Sequence, residues 1–423
     1  MHEEFIYYLW KYRLLEGKLS TNSGEEINVI STGTINNDSG PDFFNAMIEI
    51  GTTRWAGNIE IHVRSSDWFI HKHHKDDNYD NIILHVVNIA DVAINRKNGE
   101  LIPTLEIQGK YNLHILSKYQ MFIKSRNSIP CGQLISAIKK IEVYGWFDKL
   151  MVERLEDRSN EIMTKIDNSK GDLIEIFYQR IAKGFGYTTN ANSMEILAMS
   201  TPLKLLLKHI DNKFQIEALL FGQSGLLEDK FQDNYAKELL KEYRFLKTKY
   251  NLTPMNKKVW KFMRMRPVSF PTIRISQFAN FLYESSGSLT NLFNLNKVQS
   301  VTNLLSVQAS DYWNNHYRFD KPTPKRVKRI GTSTIDVLMI NSIIPLIFVF
   351  GRIKSNPGQE DKAMSWLSQI KPELNTITRE FSKYGLSPQS ALESQAMKQL
   401  KDYYCSKKRC LNCNFGYILL NSD

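Results

Sequence analysis

Apolar and polar positions alternate along much of the first 130 residues, and this alternation predicts a β-sheet. The segments FFNAMIEI (43–50) and WAGNIEIHV (55–63) flank the turn GTTR, which is the pattern of a β-hairpin. INVISTG (27–33) and LIPTLEIQG (101–109) predict two further strands. NIILHVVNI (81–89) is apolar without alternation, as expected of a strand that is buried on both faces.

Two helical segments complete the predicted N-terminal domain. FIYYLWKYRLL (5–15) carries apolar residues at helical spacing, and the polar segment after residue 63 predicts a short helix capped by Ser65 or Ser66. The resulting order is helix, strand, strand, strand, helix, strand. We therefore predict an α/β domain with a mixed sheet over residues 1–133.

The rest of the chain has a different pattern, in which long stretches of helical periodicity alternate with short polar connectors. The stretch EVYGWFDKLMVERLEDRSNEIMTKI (142–166) is typical of it. We predict an all-α region over residues 134–423 that ends in a cysteine-rich segment. Within it, the basic and Pro-containing DKPTPKRVKRIG (320–331) is the predicted linker, and its cations would also suit a phosphate backbone.

The charge of the chain is unevenly distributed. The 423 residues carry a net charge of +11. Residues 1–130 hold 13 Lys and Arg against 16 Asp and Glu, whereas residues 131–423 hold 42 against 28. A basic surface beside an acidic region suits a nucleic-acid enzyme, because cations bind phosphate and carboxylates bind a metal ion. The lysines would equally serve solubility alone.

Composition also bears on location. The N-terminal segment lacks a basic start followed by a cleavage site, so we predict no secretory signal. The apolar segment 335–351 is interrupted by Asp336, Asn341 and Pro345, and it is shorter than the roughly 20 apolar residues of a spanning helix. Four cysteines without a signal indicate a reducing compartment. We therefore expect a cytoplasmic protein that does not enter a membrane.

Two carboxylates mark the predicted hairpin. Asp42 precedes its first strand and Glu60 lies inside its second strand, so the two side chains can converge at one edge. Mg²⁺ and Mn²⁺ take such oxygen ligands, and the carbonyl of Ile61 would add a third. A metal ion held there would polarise a phosphoryl group and activate a water molecule.

These residues resemble the PD-(D/E)XK nuclease superfamily. Pro41-Asp42 matches the first half of its motif, and Glu60-Ile61-His62 matches the second half except at the last position, where the superfamily has lysine. The resemblance implies a restriction-endonuclease-like fold, with Asp42, Glu60 and His62 as catalytic residues. His62 would then activate water in place of the lysine, Lys72 would reach in from the next element, or the activity has been lost.

Histidines are concentrated near the same place. His62, His71, His73, His74 and His85 fall within 24 residues. A second interpretation is therefore a Zn²⁺ or Mn²⁺ site. In that site His71 and either His73 or His74 would join Asp67 or Asp76. His85 would alternatively bond a backbone carbonyl within its strand.

The cysteines form a second candidate metal site. Cys405, Cys410 and Cys413 are spaced as ligands, and Cys131 would complete a tetrahedral set for Zn²⁺ or a [4Fe–4S] cluster. Some nucleases of the superfamily named above carry an iron–sulfur cluster ligated from both ends of a domain. A purely structural zinc knuckle and a group of reduced buried thiols are the alternatives.

One segment of the helical region mixes cations with aromatic rings. In WKFMRMRPVSFPTIR the side chains of Arg264, Arg266 and Arg274 interleave with aromatic residues, which suits phosphate contacts and base stacking. We predict that these arginines bind nucleic acid, DNA rather than RNA. The alternative is a helix end with partly buried arginines paired to acids.

Over its whole length the chain resembles the uncharacterised bacterial domain-of-unknown-function family 2851. The resemblance is carried by GPDF, GNIEIHVRSSDW, IEALLFGQSGLL, WKFMRMRPVSFPTIRISQ, YWNNHYRF and YYCSKKRCLNC. It implies no activity, so the prediction depends on the candidate sites. We predict a divalent-metal-dependent nuclease. The alternatives are an inactive nucleic-acid-binding or scaffolding protein of the same fold, and a His/Asp metallohydrolase with a small substrate.

Overall fold

The computed structural model describes residues 1–36, 38–169, 171–287 and 289–422. The chain divides into two compact units. The first consists of Met1–Lys139 and Lys401–Asp423, and the second of Lys140–Leu400. The predicted division at residue 133 lies close to this boundary, but the cysteine-rich C-terminal segment belongs to the first unit and not to the helical one.

A mixed sheet forms the centre of the first unit. Its elements, in chain order, are α1 (Glu3–Lys11), β1 (Ile27–Ser31), β2 (Thr34–Ile35), β3 (Phe43–Ile50), β4 (Thr53–Arg64), α2 (Asp67–Ile70), β5 (Ile82–Ile89), β6 (Thr104–Glu106) and α3 (Leu113–Lys124). The strand order is β1-β3-β4-β5-β6, and β2 also pairs with β3. The β1, β3 and β4 pairings are antiparallel, whereas β4-β5 and β5-β6 are parallel. The predicted α/β order with a mixed sheet is therefore correct.

Local chemistry explains the hairpin of β3 and β4. Gly51 has a φ of 59° at the tight turn, a conformation that side chains with a Cβ rarely adopt. A bulge interrupts β3 between Phe43 and Ala46, where Asn45 has a φ of 56° and its N–H bonds Asn58 Oδ1. The bulge begins one residue after Asp42, so β3 bends beside the first of the two predicted carboxylates.

Strand β5 is buried along most of its length, as its continuous apolar pattern predicts. The helix predicted after β4 is also present as α2. Ser66 precedes it without capping it, because the Ser66 hydroxyl donates to Asp91 Oδ2 instead. Ser65 likewise bonds Asp91 and the carbonyl of Val92. These bonds fix the start of the β4–β5 connection.

The C-terminal segment ends in a helix, Asn414–Asn421, that packs in the first unit against α3. Asn421 Nδ2 donates to the Tyr8 hydroxyl at 2.6 Å, and Lys408 donates to the carbonyl of Ile123. Residues more than 280 positions apart in sequence are thus held together.

The second unit is mostly helical, but it is not the all-α region that was predicted, because it also contains a two-stranded antiparallel sheet. Its elements are α4 (Lys140–Asn168), α5 (Leu173–Phe185), α6 (Ala191–Ser200), α7 (Leu203–Leu206), α8 (Lys213–Gln223), α9 (Asn234–Tyr250), α10 (Pro271–Glu284), α11 (Asn291–Asn294), α12 (Val298–Leu305), β7 (His316–Arg318), β8 (Lys321–Pro322), α13 (Thr332–Leu338), α14 (Ile344–Ile353), α15 (Pro357–Gln369), α16 (Thr376–Ser382) and α17 (Ala391–Gln399). A π-helical turn, Met339–Ile343, joins α13 to α14.

The helix Thr332–Ile353, formed by α13, the π-helical turn and α14, is long and apolar enough to cross a membrane by length and composition. Within its most apolar window, 72% is buried inside the protein. It contacts α4, α5 and α15 of its own unit. We interpret it as the core helix of the second unit.

The segment 320–331 is not a linker between compact units, because it lies inside the second one. Lys321 and Pro322 form β8, which pairs with β7. Lys328 is 2% exposed, and its ammonium donates to the carbonyl of Asn314 at 2.7 Å. At least one of the cations in the segment 320–331 is therefore buried and does not face solvent.

We predict that Gly57→Ala lowers the stability of the first unit. A Cβ at Gly57 would lie 2.5 Å from Ile83 Cγ2 and 2.9 Å from the carbonyl oxygen of Asn81, so β4 and β5 would have to separate. Overpacking of this kind costs about 1–3 kcal/mol, or about 3–9 °C in Tm for a unit of this size. Calorimetry of the full chain measures it. The control is Ala56→Val, an exposed position of the same strand, and an equal loss there would contradict the explanation.

Candidate metal centre

Asp42 and Glu60 lie side by side on the paired strands β3 and β4. Phe43 pairs with Ile59, so the residues next to them face each other across the hairpin. The backbone N–H of Asp42 donates to Glu60 Oε2 at 3.2 Å, and that of Ile61 donates to Asp42 Oδ2 at 2.9 Å. Each carboxylate is thus fixed by the backbone of the other strand.

Two further side chains share this face of the sheet. His62 follows Glu60 by two positions, and His85 on β5 is in register with Glu60. His62 Nδ1 lies 2.8 Å from His85 Nε2, and one of these two atoms donates to the other. His62 is 1% exposed and His85 is fully buried. His85 therefore bonds His62 and not the backbone carbonyl that the sequence suggested as an alternative.

The connection from β4 to β5 brings two more histidines to the cluster. His62 Nε2 lies 3.0 Å from His71 Nδ1, and His73 Nε2 lies 3.1 Å from Glu60 Oε1 without a hydrogen bond between them. Lys72, between the two histidines, has a φ of 64°, and this left-handed residue reverses the chain between the two imidazoles. One nitrogen each from His62, His71 and His73 lies within 4.8 Å of the others.

Burial disfavours the charged forms of both carboxylates and of the His62 imidazole in this cluster. Burial and the charge of Glu60 raise the pKa of Asp42 to about 7, although hydrogen bonds from Tyr7 and Ile61 oppose the change. Burial raises the pKa of Glu60 to about 8. Burial, with His85 and His73 nearby, lowers the pKa of His62 to about 2. Two carboxylates are thus placed where a cation would favour their charged forms, beside imidazoles that stay neutral.

Sequence reasoning missed three residues of this site. The Tyr7 hydroxyl donates to Asp42 Oδ1 at 2.8 Å, and the ring of Tyr79 stacks on His73 at 3.8 Å. Glu3 lies close enough to interact with His71 and His73, and burial raises its pKa. Glu3 and Tyr7 are four residues apart on α1, so their shared helix face was the available signal.

Several candidates lie outside the cluster. Asp67 Oδ2 accepts from the backbone N–H of Arg64, and Asp76 Oδ1 accepts from that of Asn78. His74 packs its ring on Phe69 and is not in the three-histidine group. Lys72 is exposed. Asp67 and Asp76 are also outside the three-histidine group, so their part in a histidine site stays a prediction. Glu60 Oε1 lies 3.1 Å from His73 Nε2 and 3.6 Å from His62 Nε2.

The four cysteines come together in the first unit. Cys131, Cys405, Cys410 and Cys413 are all buried, no disulfide bond joins any two of them, and they line one small cavity with Pro130 and Gly416. Gly416 is required there, because a methyl group on it would collide with the carbonyl of Cys410. Cys131 thus joins the other three despite a separation of more than 270 residues.

The spacing and charge of these thiols constrain what they can bind. Burial raises the pKa of Cys410 to about 12, with the nearby Cys413 adding to the rise, and burial also raises the pKa of Cys131 and Cys405. Thiolates so placed need a cationic centre. Within the described part of the chain, no three cysteine sulfurs lie within 4.8 Å of one another. Sulfurs on a single Zn²⁺ would be about 3.8 Å apart.

The three arginines predicted to bind nucleic acid differ in exposure. Arg264 and Arg266 are exposed. Arg274 is 6% exposed, and its guanidinium donates to Gln277 Oε1 at 3.0 Å and to Ser269 Oγ at 3.4 Å. Arg274 is therefore a buried residue of α10 and is not available to a phosphate backbone. Its partners are neutral, unlike the acids that the alternative interpretation expected.

A family model described as Protein of unknown function (DUF2851) matches residues 3–376. The chain belongs to this family. No curated protein and no solved structure matches it. The family match contains Asp42, the histidine cluster and Cys131, whereas Cys405, Cys410 and Cys413 of this DUF2851 protein follow the matched region.

We predict that His71→Ala weakens Mn²⁺ binding by about tenfold or more, because it removes one of the three converging imidazoles. His71 is exposed, so the fold should tolerate the change. Electron paramagnetic resonance of free Mn²⁺ during titration gives the affinity. His114→Ala removes another exposed histidine of the same unit and should have no effect. Equal affinities of the wild type and His71→Ala would remove His71 from the site.

Proposed function

We propose that this protein is a divalent-metal-dependent phosphodiester hydrolase that acts on nucleic acid. The observation that carries the proposal is the juxtaposition of Asp42 and Glu60 on paired strands, directly beside His62, His71 and His73. Pro-Asp and Glu-x-His on neighbouring strands are the arrangement on which the nuclease resemblance depends. The observed order of a helix, four strands, a helix and two strands contains the predicted helix–strand–strand–strand–helix–strand order with β2 and β6 added, and it supports a restriction-endonuclease-like fold.

The residues present fit a metal ion of intermediate hardness. Glu60 Oε1 lies 3.6 Å from His62 Nε2 and 3.1 Å from His73 Nε2, and two ligands of a tetrahedral ion with bonds of 2.0–2.1 Å are about 3.3 Å apart. A mixture of imidazole and carboxylate favours Mn²⁺ or Zn²⁺ over Mg²⁺. We therefore assign Glu60, His62, His71 and His73 as metal ligands, with Mn²⁺ as the preferred ion over the Mg²⁺ that the carboxylates alone suggested.

The other residues of the cluster have supporting roles in this proposal. His62 becomes a ligand and not the water activator, because a buried imidazole with a pKa of about 2 is a poor base at neutral pH. His85 Nε2 would accept a hydrogen bond from the N–H at His62 Nδ1. This bond would fix the His62 ring with its Nε2 towards the metal. Asp42, beside the ligands and held by Tyr7, is the group available to orient the attacking water.

The metal would supply a polarised phosphoryl oxygen and a more acidic water. A water molecule oriented by Asp42 would form the new bond to phosphorus and give up one proton to solvent. The bond from phosphorus to one ester oxygen would break, and that oxygen would take up a proton to leave as an alcohol. The exposed Lys72 and Lys75 beside the cluster would contact the phosphate backbone. Arg264 and Arg266 remain candidates for such contacts, with DNA as the preferred substrate.

We assign a [4Fe–4S] cluster to Cys131, Cys405, Cys410 and Cys413. The irons of a cluster lie between the sulfurs, so they suit thiols spread more widely than a single Zn²⁺ allows. All four positions of such a centre are filled by protein, which gives it a structural role. It would tie the C-terminal segment to the end of the segment that follows α3.

We predict Mn²⁺-stimulated cleavage of labelled DNA that falls at least about a hundredfold in Glu60→Gln. This change removes the charge of a metal ligand and keeps its size, so the loss follows from the missing metal bond. Gel analysis of single- and double-stranded DNA and RNA, with Mn²⁺, Zn²⁺ or Mg²⁺, is the measurement. Glu49→Gln, a half-buried acid on the neighbouring strand that pairs with Arg54, should cleave as the wild type does.

Other outcomes distinguish the rival functions. Salt-sensitive DNA binding without cleavage under any metal would favour a scaffolding protein of the same fold. Hydrolysis of a small ester that depends on Glu60, without cleavage of nucleic acid, would favour a small-substrate metallohydrolase. Full nuclease activity of Glu60→Gln would contradict the assigned site.

We predict that protein purified without oxygen is brown and contains about four irons and four sulfides per chain. Cys131→Ser should lose most of the visible absorbance, because Cys131 is one of four thiols around the cavity. The control is Ser128→Ala, which changes a nearby residue that is not in the cavity lining. A colourless protein with one zinc per chain would overturn the cluster in favour of a zinc site.

A further inference from the structure

A cavity of about 530 Å³ in the second unit has a strongly basic lining. The helices α4, α5 and α17 and the π-helical turn contribute to its wall. Five of its lining side chains are cationic and one is anionic: Arg154, Arg158, Arg180, Lys183 and Lys398, against Glu373. Its volume is within the range of small-molecule sites.

The central arginine, Arg158, forms no ion pair among the described residues, and the charges of Glu373 and Glu161 offset its own only in part. Arg158 donates to the carbonyl of Ile340 at 3.0 Å and to Asn341 Oδ1 at 2.9 Å, so both its bonds go to neutral acceptors. Among the described residues, no carboxylate oxygen lies within 4.0 Å of it. Dipoles of this kind fix a guanidinium in place, but they leave its positive charge available to a ligand.

Arg180 approaches the same turn from α5. Its guanidinium donates to the carbonyl of Asn341 at 3.3 Å, and it has a long contact with Glu161 at 3.4 Å. Its buried Nε has no hydrogen-bond partner. Arg158 and Arg180 thus converge on one π-helical turn, the kind of helix irregularity that is frequent at functional sites.

Like charges surround Arg158. Burial, together with the nearby Arg154 and Arg180, lowers the pKa of Arg158 to about 9. Folding therefore places cations together at an electrostatic cost, which a bound anion would offset. Lys183 differs from Arg158, because its ion pairs with Glu195 and Glu161 partly neutralise its charge.

The lining also offers an uncharged side. Tyr187 is exposed at the edge of the cavity, and Val337 and Ile377 provide apolar surface. We propose that this cavity binds an organic polyphosphate, such as a nucleoside di- or triphosphate, with its phosphates on Arg158 and Arg180 and its organic part against Tyr187. None of its residues belongs to the metal centre, so this proposal does not depend on the proposed hydrolase activity.

Titration calorimetry of the full chain with ATP, in buffer without divalent cations and at constant ionic strength, tests the proposal. We expect saturable binding that inorganic pyrophosphate displaces. Thr188→Glu should weaken ATP binding by about tenfold or more, because it adds a carboxylate at an exposed lining position. Thr189→Glu adds the same charge at the next exposed residue, outside the lining, and should bind ATP as the wild type does.

A second variant probes the centre of the site. Arg158→Met keeps an unbranched apolar side chain and removes the guanidinium with its charge, so it should abolish saturable binding while circular dichroism shows an unchanged helix content. Arg352→Met, at an exposed cation of the same unit outside the cavity, is its control.

Absence of saturable ATP and pyrophosphate binding in the wild type would overturn the proposal. Equal weakening in Thr188→Glu and Thr189→Glu would do so too, since it would indicate general charge repulsion. Displacement of ATP by a short single-stranded DNA at lower concentration than pyrophosphate would replace the ligand class by nucleic acid.

Discussion

The first unit depends on the placement of two carboxylates in an otherwise apolar sheet. Asp42 and Glu60 are held across the β3–β4 hairpin by each other's backbone N–H groups, and both pKa values are raised. A buried anion is costly unless it is paired, and two adjacent ones repel each other as well. In the proposed metal site a cation would offset this cost, and the neutral imidazole of His62 would add a ligand nitrogen without adding charge. This constraint explains why polar residues interrupt the most apolar part of the sheet.

The sequence pattern predicted the strands of this sheet except the short β2, and it predicted which side chains share a face of each strand. Alternation placed Glu60 and His62 on one face, and the continuous apolar run identified β5 as buried. The sequence pattern did not predict the conformation of the loop between β4 and β5. In that loop the left-handed backbone of Lys72 brings His71 and His73 to the site, and hydrophobic periodicity does not indicate a left-handed residue. Tyr7 was missed for a similar reason, since its contact with Asp42 depends on how α1 packs.

Contacts between residues far apart in the sequence were the second feature that the sequence pattern did not fully predict. The cysteine spacing indicated a ligand set, and the proximity of Cys131 to Cys405, Cys410 and Cys413 agrees with it. The same proximity assigns Lys401–Asp423 to the first unit, whereas composition grouped that segment with the helices. Local propensity could not detect this, because the segment is itself helical and its unit is decided by contacts with α3 and not by its own sequence.

Net charge is a poor guide to which cations can act. The excess of basic residues after position 130 includes Arg274 and Lys328, both buried and bonded to neutral groups of their own unit. It also includes Arg352, which is paired with Glu156 and Glu360 at the surface. The relevant property is whether a cation faces an accessible space without an anionic partner. Arg158 has this property, because carbonyl and amide oxygens hold it at the edge of a cavity. The cations of the second unit therefore differ in what they can contact, since Arg158 lines a cavity whereas Arg274, Lys328 and Arg352 are bonded within their own unit.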